Sequence, residues 1–114
     1  MTQPENPNFR VRRHVRRYRP RASTLISCWE SERNLALGLL NLSEGGAGLL
    51  LSEELGQGQS VQVGLQAEAW PEEVRISATV LSAFYHVYGG WRTSVAFTQP
   101  LGLDALRDLC QLPD

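Results

Sequence analysis

The sequence predicts an all-β domain: a small six-stranded antiparallel β-barrel with a short C-terminal α-helix and a flexible arginine-rich N-terminal arm. Three observations carry that expectation. Apolar and polar residues alternate at period two in three successive segments, the pattern of strands with one face buried. Clusters of Gly, Pro and polar residues separate the apolar runs at the spacing of a small barrel or sandwich. The C-terminal tail then changes to the helical period.

Taken in order, residues 1–8 carry prolines and no apolar period, so no structure is expected there. Residues 9–21 hold few apolar side chains (Val11, Val15, Tyr18), and Pro20 opposes a helix running through their end. They read as extended or loop-like, and residues 1–21 as an arm separate from a barrel over 22–114. Ser23 to Glu30 and Asn34 to Leu42 form a strand pair around a polar turn. Leu49 to Leu51 follow a glycine-rich corner, and Glu53 to Gly58 break the chain again. Val61 to Ala67, Val74 to Val80 and Trp91 to Phe97 are the alternating strands, parted by Pro71 and by Gly89-Gly90. Leu103, Leu106, Leu109 and Cys110 share one helical face, with Asp104 in the first turn and Pro113 as the stop.

Composition sets the class. A length of 114 residues allows one domain, and 42% hydrophobic with 20% charged residues is the balance of a globular protein. No apolar run is long enough to span a bilayer and no secretion-signal pattern opens the chain, so a cytoplasmic protein without membrane insertion is expected. Cys28 and Cys110 lack metal-ligand spacing and read as reduced core thiols. The net charge of -1 conceals a strong asymmetry: Arg10, Arg12, Arg13, Arg16, Arg17, Arg19 and Arg21 stand together without an acid, while the chain from Ala22 on holds four arginines against eleven acids. A basic arm on an acidic body points to an anionic partner, or to the arm folding against its own body.

Enzyme chemistry finds no support. His14 lies in the arm and His86 beside a turn, no nucleophile or phosphate-loop motif occurs, and the acid pairs Glu53-Glu54 and Glu72-Glu73 read as solvated turn charges. Neither a catalytic residue nor a metal site is expected. Trp29, Trp70 and Trp91 read as core or barrel-end packing rather than stacking platforms.

Two segments remain: Arg12-Arg13-His14-Val15-Arg16-Arg17, with Arg-x-x-x-Arg in more than one register, and Asn41-Leu42-Ser43-Glu44-Gly45-Gly46 between two strands. In this order, with a hairpin between them, they resemble the PilZ domain family, whose signature is Arg-x-x-x-Arg followed by Asp/Asn-x-Ser-x-x-Gly. The strand count, Ser94-Val95-Ala96-Phe97 and the final helix extend the resemblance over nearly the whole chain. It implies a non-enzymatic receptor for cyclic di-GMP, with no other cofactor. Arg12 and Arg13 would be the double arginine and Arg17 the closing one, leaving Arg16 as a spacer. Asn41 and Ser43 would be the guanine-contacting positions and Gly46 the close-approach glycine. Ser94 stands where many members have glycine, which puts the room beside the last strand in question. Such a receptor would signal to a downstream protein that the sequence does not identify, in motility, exopolysaccharide export or virulence regulation.

The chemistry of the residues agrees. Arginine's planar fork suits both phosphate and the O6/N7 edge of guanine, asparagine offers donor and acceptor together, and glycine admits close backbone approach. In an extended arm, residues four apart are separated by about 13 Å, enough for Arg13 and Arg17 to grip different parts of one ligand. Two other readings stand beside this one. A nucleic-acid-binding barrel would use the arm electrostatically but lacks a basic face beyond it. A ligand-free adaptor of the same fold is opposed by the intact motifs.

Overall fold

A computed structural model describes residues 16–113. The elements run β1 (Arg19–Pro20), β2 (Leu25–Glu30), β3 (Arg33–Asn34), β4 (Ala36–Leu42), β5 (Gly46–Leu51), β6 (Ser60–Gln66), β7 (Val74–Tyr85), β8 (Trp91–Phe97), α1 (Leu103–Leu109) and β9 (Cys110–Gln111). The six long strands correspond to the six expected, three from period-two alternation and three from apolar runs between turns. The three two-residue strands were not anticipated, because a segment that short carries no period.

Every pairing is antiparallel, and the main sheet is ordered β3-β2-β6-β7-β8-β5-β4. Its edge strands β3 and β4 are joined through Leu35 alone, so the sheet must curl. Asn34 builds that corner: its Oδ1 accepts from the backbone N–H of Cys28 (2.9 Å) and of Ala36 (3.1 Å), while the N–H of Leu35 donates to Cys28 O (2.9 Å). The result is a partly closed barrel. Leu42, Ala47, Val95 and Val80 are aligned across β4, β5, β8 and β7 and are all buried, which marks the inner face. By the two-residue alternation of a strand, the next row points outward.

Two strands extend further than periodicity indicates. β5 begins at Gly46 because its first three residues, Gly-Ala-Gly, have too little side chain to register as a strand. β7 runs on to Tyr85 through a register shift between Val80 and Ser82 that resets the alternation, placing Ser82 in the outward row opposite Ser94 where an unbroken period would turn it inward. The β7–β8 hairpin then closes at Gly89 and Gly90, whose φ values of 103° and 83° favour glycine.

Helix α1 contributes Leu106 and Leu109 to the same core as the strands. Leu103, assigned by period to the buried face, is exposed, and Cys110 is buried from β9 rather than from the helix. The helix stops at Leu109 because Cys110 pairs with Pro20, before Pro113 is reached. Its terminal carbonyls are satisfied by the arm: Arg21 donates Nε and Nη2 to Arg107 O (3.2 and 3.0 Å), and Leu109 O accepts from Arg21 N (2.8 Å) and Thr24 Oγ1 (2.7 Å). A guanidinium at the negative end of the helix dipole is stabilising as well as space-filling. One of the seven arm arginines is therefore a cap, and residues 19–21 belong to the folded body.

Cys28 and Cys110 are free and buried, and burial pushes both thiols up to about 11, so they stay protonated at neutral pH. On the outer face, Gly64 leaves room for a polar cluster that the solvated reading of Glu73 did not foresee. Trp29 Nε1 donates to Ser27 Oγ (2.8 Å), Ser27 Oγ donates to Glu73 Oε1 (2.6 Å), and Arg75 Nε donates to Glu73 Oε2 (2.7 Å) with its guanidinium 4.3 Å from the Trp29 ring centroid. These bonds from Ser27 and Arg75 hold the Glu73 carboxyl below its usual value of 4.5. A carboxylate favoured by the fold adds stability that is complete above its unfolded pKa and is lost as pH falls through the lowered folded one. The urea midpoint of the native chain should therefore fall more than that of Glu73→Gln as pH drops from about 5 to about 3. Parallel acid limbs in the two proteins would show the cluster to be energetically silent.

Candidate functional site

The arm meets the barrel at Tyr18, which exchanges both backbone hydrogen bonds with Leu42 (2.8 and 3.0 Å) in an antiparallel bridge at the end of β4. The arm is extended there, as the sequence indicates, so successive side chains diverge. Arg17 turns toward β4 and donates from Nη1 to Asn41 Oδ1 at 2.8 Å. One residue from each of the two sequence motifs is thus in direct contact. Arg12 and Arg13 lie outside the described residues.

Asn41 belongs to the outward row that crosses the sheet through Gly48, Ser94 and Ser82. A Cβ at Gly48 would sit 2.8 Å from Asn41 Nδ2, so the absence of a side chain there is what lets the asparagine amide lie across β5 toward the arm. Gly48 is a site residue that motif reading missed; the signal was a glycine two residues beyond the signature glycine. Ser94 pairs with Gly48, so the facing strand supplies the open space its own position lacks.

Ser43 and Gly46 occupy the corner and are engaged with each other. Ser43 is buried; its backbone N–H and its hydroxyl donate to Gly46 O (2.9 and 3.2 Å), and its Oγ accepts from Gly46 N (3.1 Å). The hydroxyl is spent on closing the turn. Gly46 is close to β8: a Cβ would lie 2.3 Å from the Val95 carbonyl oxygen, so the close approach it permits is strand to strand. Glu44 and Gly45 remain exposed, and their carbonyls accept from Leu101 N (2.7 Å) and Phe97 N (2.8 Å). The corner is thereby tied to the segment leading into α1, as the arm is tied to its far end.

The other side of the arm is also basic. Arg16, read as a spacer, lines with Tyr18, Arg21, Arg107, Leu103 and Leu112 an open groove of about 570 Å³. Guanidiniums in that groove and Arg17 beside Asn41 make an anion-attracting surface that flanks the arm on both sides. None of the three tryptophans takes part. Trp91 packs edge-on against Tyr85 (5.4 Å, 79°), Trp70 donates to Asp108 Oδ2 (2.8 Å) at the helix, and Trp29 lies under Arg75. Among the described residues, no group of three or more His, Cys, Asp or Glu side chains is placed to hold a metal ion, and no helix is long and apolar enough to cross a membrane.

The family model of the PilZ domain matches residues 10–112, which includes both the arm and the corner. The chain belongs to the PilZ domain family. No significant match exists among curated proteins. Two solved structures share the PilZ fold seen here. The Bacillus subtilis inhibitor of motility MotI/DgrA has a TM-score of 0.59 at 20% identity, covering 85% of this chain and 47% of that one. The K. pneumonia MrkH structure, a complex with c-di-GMP, has a TM-score of 0.54 at 19% identity, covering 84% of this chain and 48% of that one. This PilZ chain thus spans about half the length of either relative.

The geometry of the corner predicts an asymmetric response to alanine. Gly46→Ala forces a methyl into the Val95 carbonyl and should lower the unfolding free energy by about 1 to 3 kcal/mol, whereas Gly45→Ala meets nothing within 4 Å and should change it little. Chemical denaturation of both variants checks this. Equal stability of the two would mean that the β5–β8 approach relaxes freely.

Proposed function

We propose that this PilZ domain is a non-enzymatic cytoplasmic receptor for cyclic di-GMP, bound where the arm crosses the Asn41 to Gly46 corner. The observation that carries the proposal is the Arg17 to Asn41 hydrogen bond, which joins the two halves of the signature in one place. It favours the register in which Arg13 and Arg17 are the spaced pair, with Arg12 as the further arginine of the motif. MrkH, which shares this fold, was solved as a complex with c-di-GMP, and that supports the same ligand class here.

The chemistry fits a compact dianion with two guanines. Arg17 and Arg16 stand on opposite sides of an extended strand and present planar forks to phosphate or to a guanine edge. Asn41 Oδ1, satisfied by Arg17 in this state, becomes an acceptor for a guanine amino or imino group once Arg17 turns to the ligand. Ser43 and Gly46 contribute by fixing the turn on which Asn41 is displayed. The ligand would exchange an internal bond for bonds to itself and hold the arm to the corner, and a downstream protein would read that changed surface.

Isothermal titration with cyclic di-GMP, with heparin as a generic polyanion, tests the reading. Arg17→Ala and Asn41→Ala should each weaken cyclic di-GMP binding about tenfold or more, since a charge-assisted hydrogen bond contributes roughly 1.5 to 3 kcal/mol. Asn41→Ala should leave heparin binding unchanged. Arg21→Ala should instead lower the melting temperature through the lost helix cap, by about 1 to 2 kcal/mol of stability, and leave the affinity of the folded protein near the native value. Equal losses at every arginine would indicate a diffuse polyanion patch, and no heat with cyclic di-GMP would leave the ligand-free adaptor.

A further inference from the structure

The end of the barrel opposite the corner carries an apolar surface that packing does not account for. The β7–β8 hairpin projects past the barrel with Phe84 66%, Val87 80% and Tyr88 91% exposed, and Leu81 is half exposed on the same strand. Beside it, Leu81 and Phe84 form one wall and Glu54, Leu55 and Gln57 the other wall of an open groove of about 420 Å³. Isolated exposed apolar residues are ordinary, but a contiguous group flanking a groove is the mark of an interaction surface.

The charge around this groove selects its occupant. Glu54 is in the wall and Glu53 precedes it. Glu30 is brought to the same loop by Gln59, which donates from Nε2 to Glu30 Oε2 (2.5 Å) and accepts at Oε1 from Gly56 N (3.1 Å). Glu32 lies in the adjoining turn. Against these four carboxylates stand Arg33, already paired with Glu53, and Arg92, aligned with Phe84. An anionic bilayer would be repelled by such a rim, although an aromatic hairpin alone would suit a membrane interface. A partner bearing apolar side chains flanked by Lys or Arg meets both requirements at once.

We propose that the Leu81–Phe84 groove, with its acidic rim, docks a basic, apolar segment of a partner protein. The surface is the partner side of the receptor reading and rests on it for its purpose, so it is tested without nucleotide and either proposal can fail alone. The probe is a short synthetic peptide of alternating leucine and lysine, titrated into the ¹⁵N-labelled full chain, with the leucine-glutamate counterpart and phosphatidylserine-containing vesicles as comparisons. Amide shifts should concentrate at Glu54 to Gln57 and Leu81 to Phe84. Phe84→Ser and Glu54→Lys, both at exposed positions, should each weaken the peptide about tenfold, and the counterpart peptide and the vesicles should leave the spectrum unchanged. Shifts scattered over the acidic body, loss with Glu54→Lys but not with Phe84→Ser, binding of the vesicles through the hairpin, or no binding of the leucine-lysine peptide would each overturn the proposal.

Discussion

Two backbone hydrogen bonds between Tyr18 and Leu42 determine where the arm joins the barrel, and the neighbouring features are positioned from them. An antiparallel bridge fixes direction as well as place: with Tyr18 opposite Leu42, Arg17 is aligned with Ser43 and its long side chain reaches Asn41 diagonally on the same face, while Arg19–Pro20 pairs with Cys110–Gln111. The second pairing ends α1 and brings Arg21 to its terminal carbonyls. A single register therefore sets the Arg17 to Asn41 contact on one side and the helix cap on the other. Moving the arm by one residue would turn Arg17 away from Asn41 and separate Arg21 from the helix, because side chains on a strand alternate faces.

The residues of the Asn-x-Ser-x-x-Gly corner divide into those that build the turn and one that is left facing outward. Ser43 and Gly46 satisfy one another, and Gly46 also lets β5 approach Val95 O. Such groups cannot be replaced without moving the turn, so loss of binding on mutating them would report geometry more than contact. Asn41 is the residue left facing outward, and it lies where it does because Gly48 has no Cβ. In the site proposed here, contact chemistry in this half would thus be concentrated on one amide, held up by three residues that serve its placement.

Much of this was legible in the chain. Period-two alternation located β6, β7 and β8, the Asn34 to Leu42 run contained β4, and the arginine and Asn-x-Ser-x-x-Gly motifs marked both sides of the Arg17 to Asn41 contact. What escaped had physical causes. The bulge after Val80 reset the alternation and hid five residues of β7, which are those that lead into the exposed aromatic hairpin. β1 and β9 are two residues long and exist only through each other. The helical period correctly grouped Leu106 and Leu109 but not Leu103, because a single short helix buries a face only where the barrel mouth reaches it. Arg21 looked like its six neighbours, and its role as a cap depends on a carbonyl 86 positions away.

The two ends of the molecule are chemically opposed, and distance decides how they can communicate. β4 runs from Ala36 at the acidic end to Leu42 at the corner, about 20 Å at the usual rise per residue. At physiological salt the screening length is about 8 Å, so charge gained or lost at the corner is barely felt at Glu53 and Glu54. Between them β5 is paired with β8 residue by residue, β4 is paired with β5 through two register shifts, and both strands pack on one buried core, which resists rearrangement. A ligand shifts an equilibrium only through contacts that differ between two states. The side-chain contacts of the corner that lie outside the packed sheet are those of the arm: Arg17 with Asn41, and beyond Tyr18 the cap on α1. A signal of the kind proposed would therefore travel by way of the arm and the helix it caps, and the proposed docking groove at the far end would act independently of the corner.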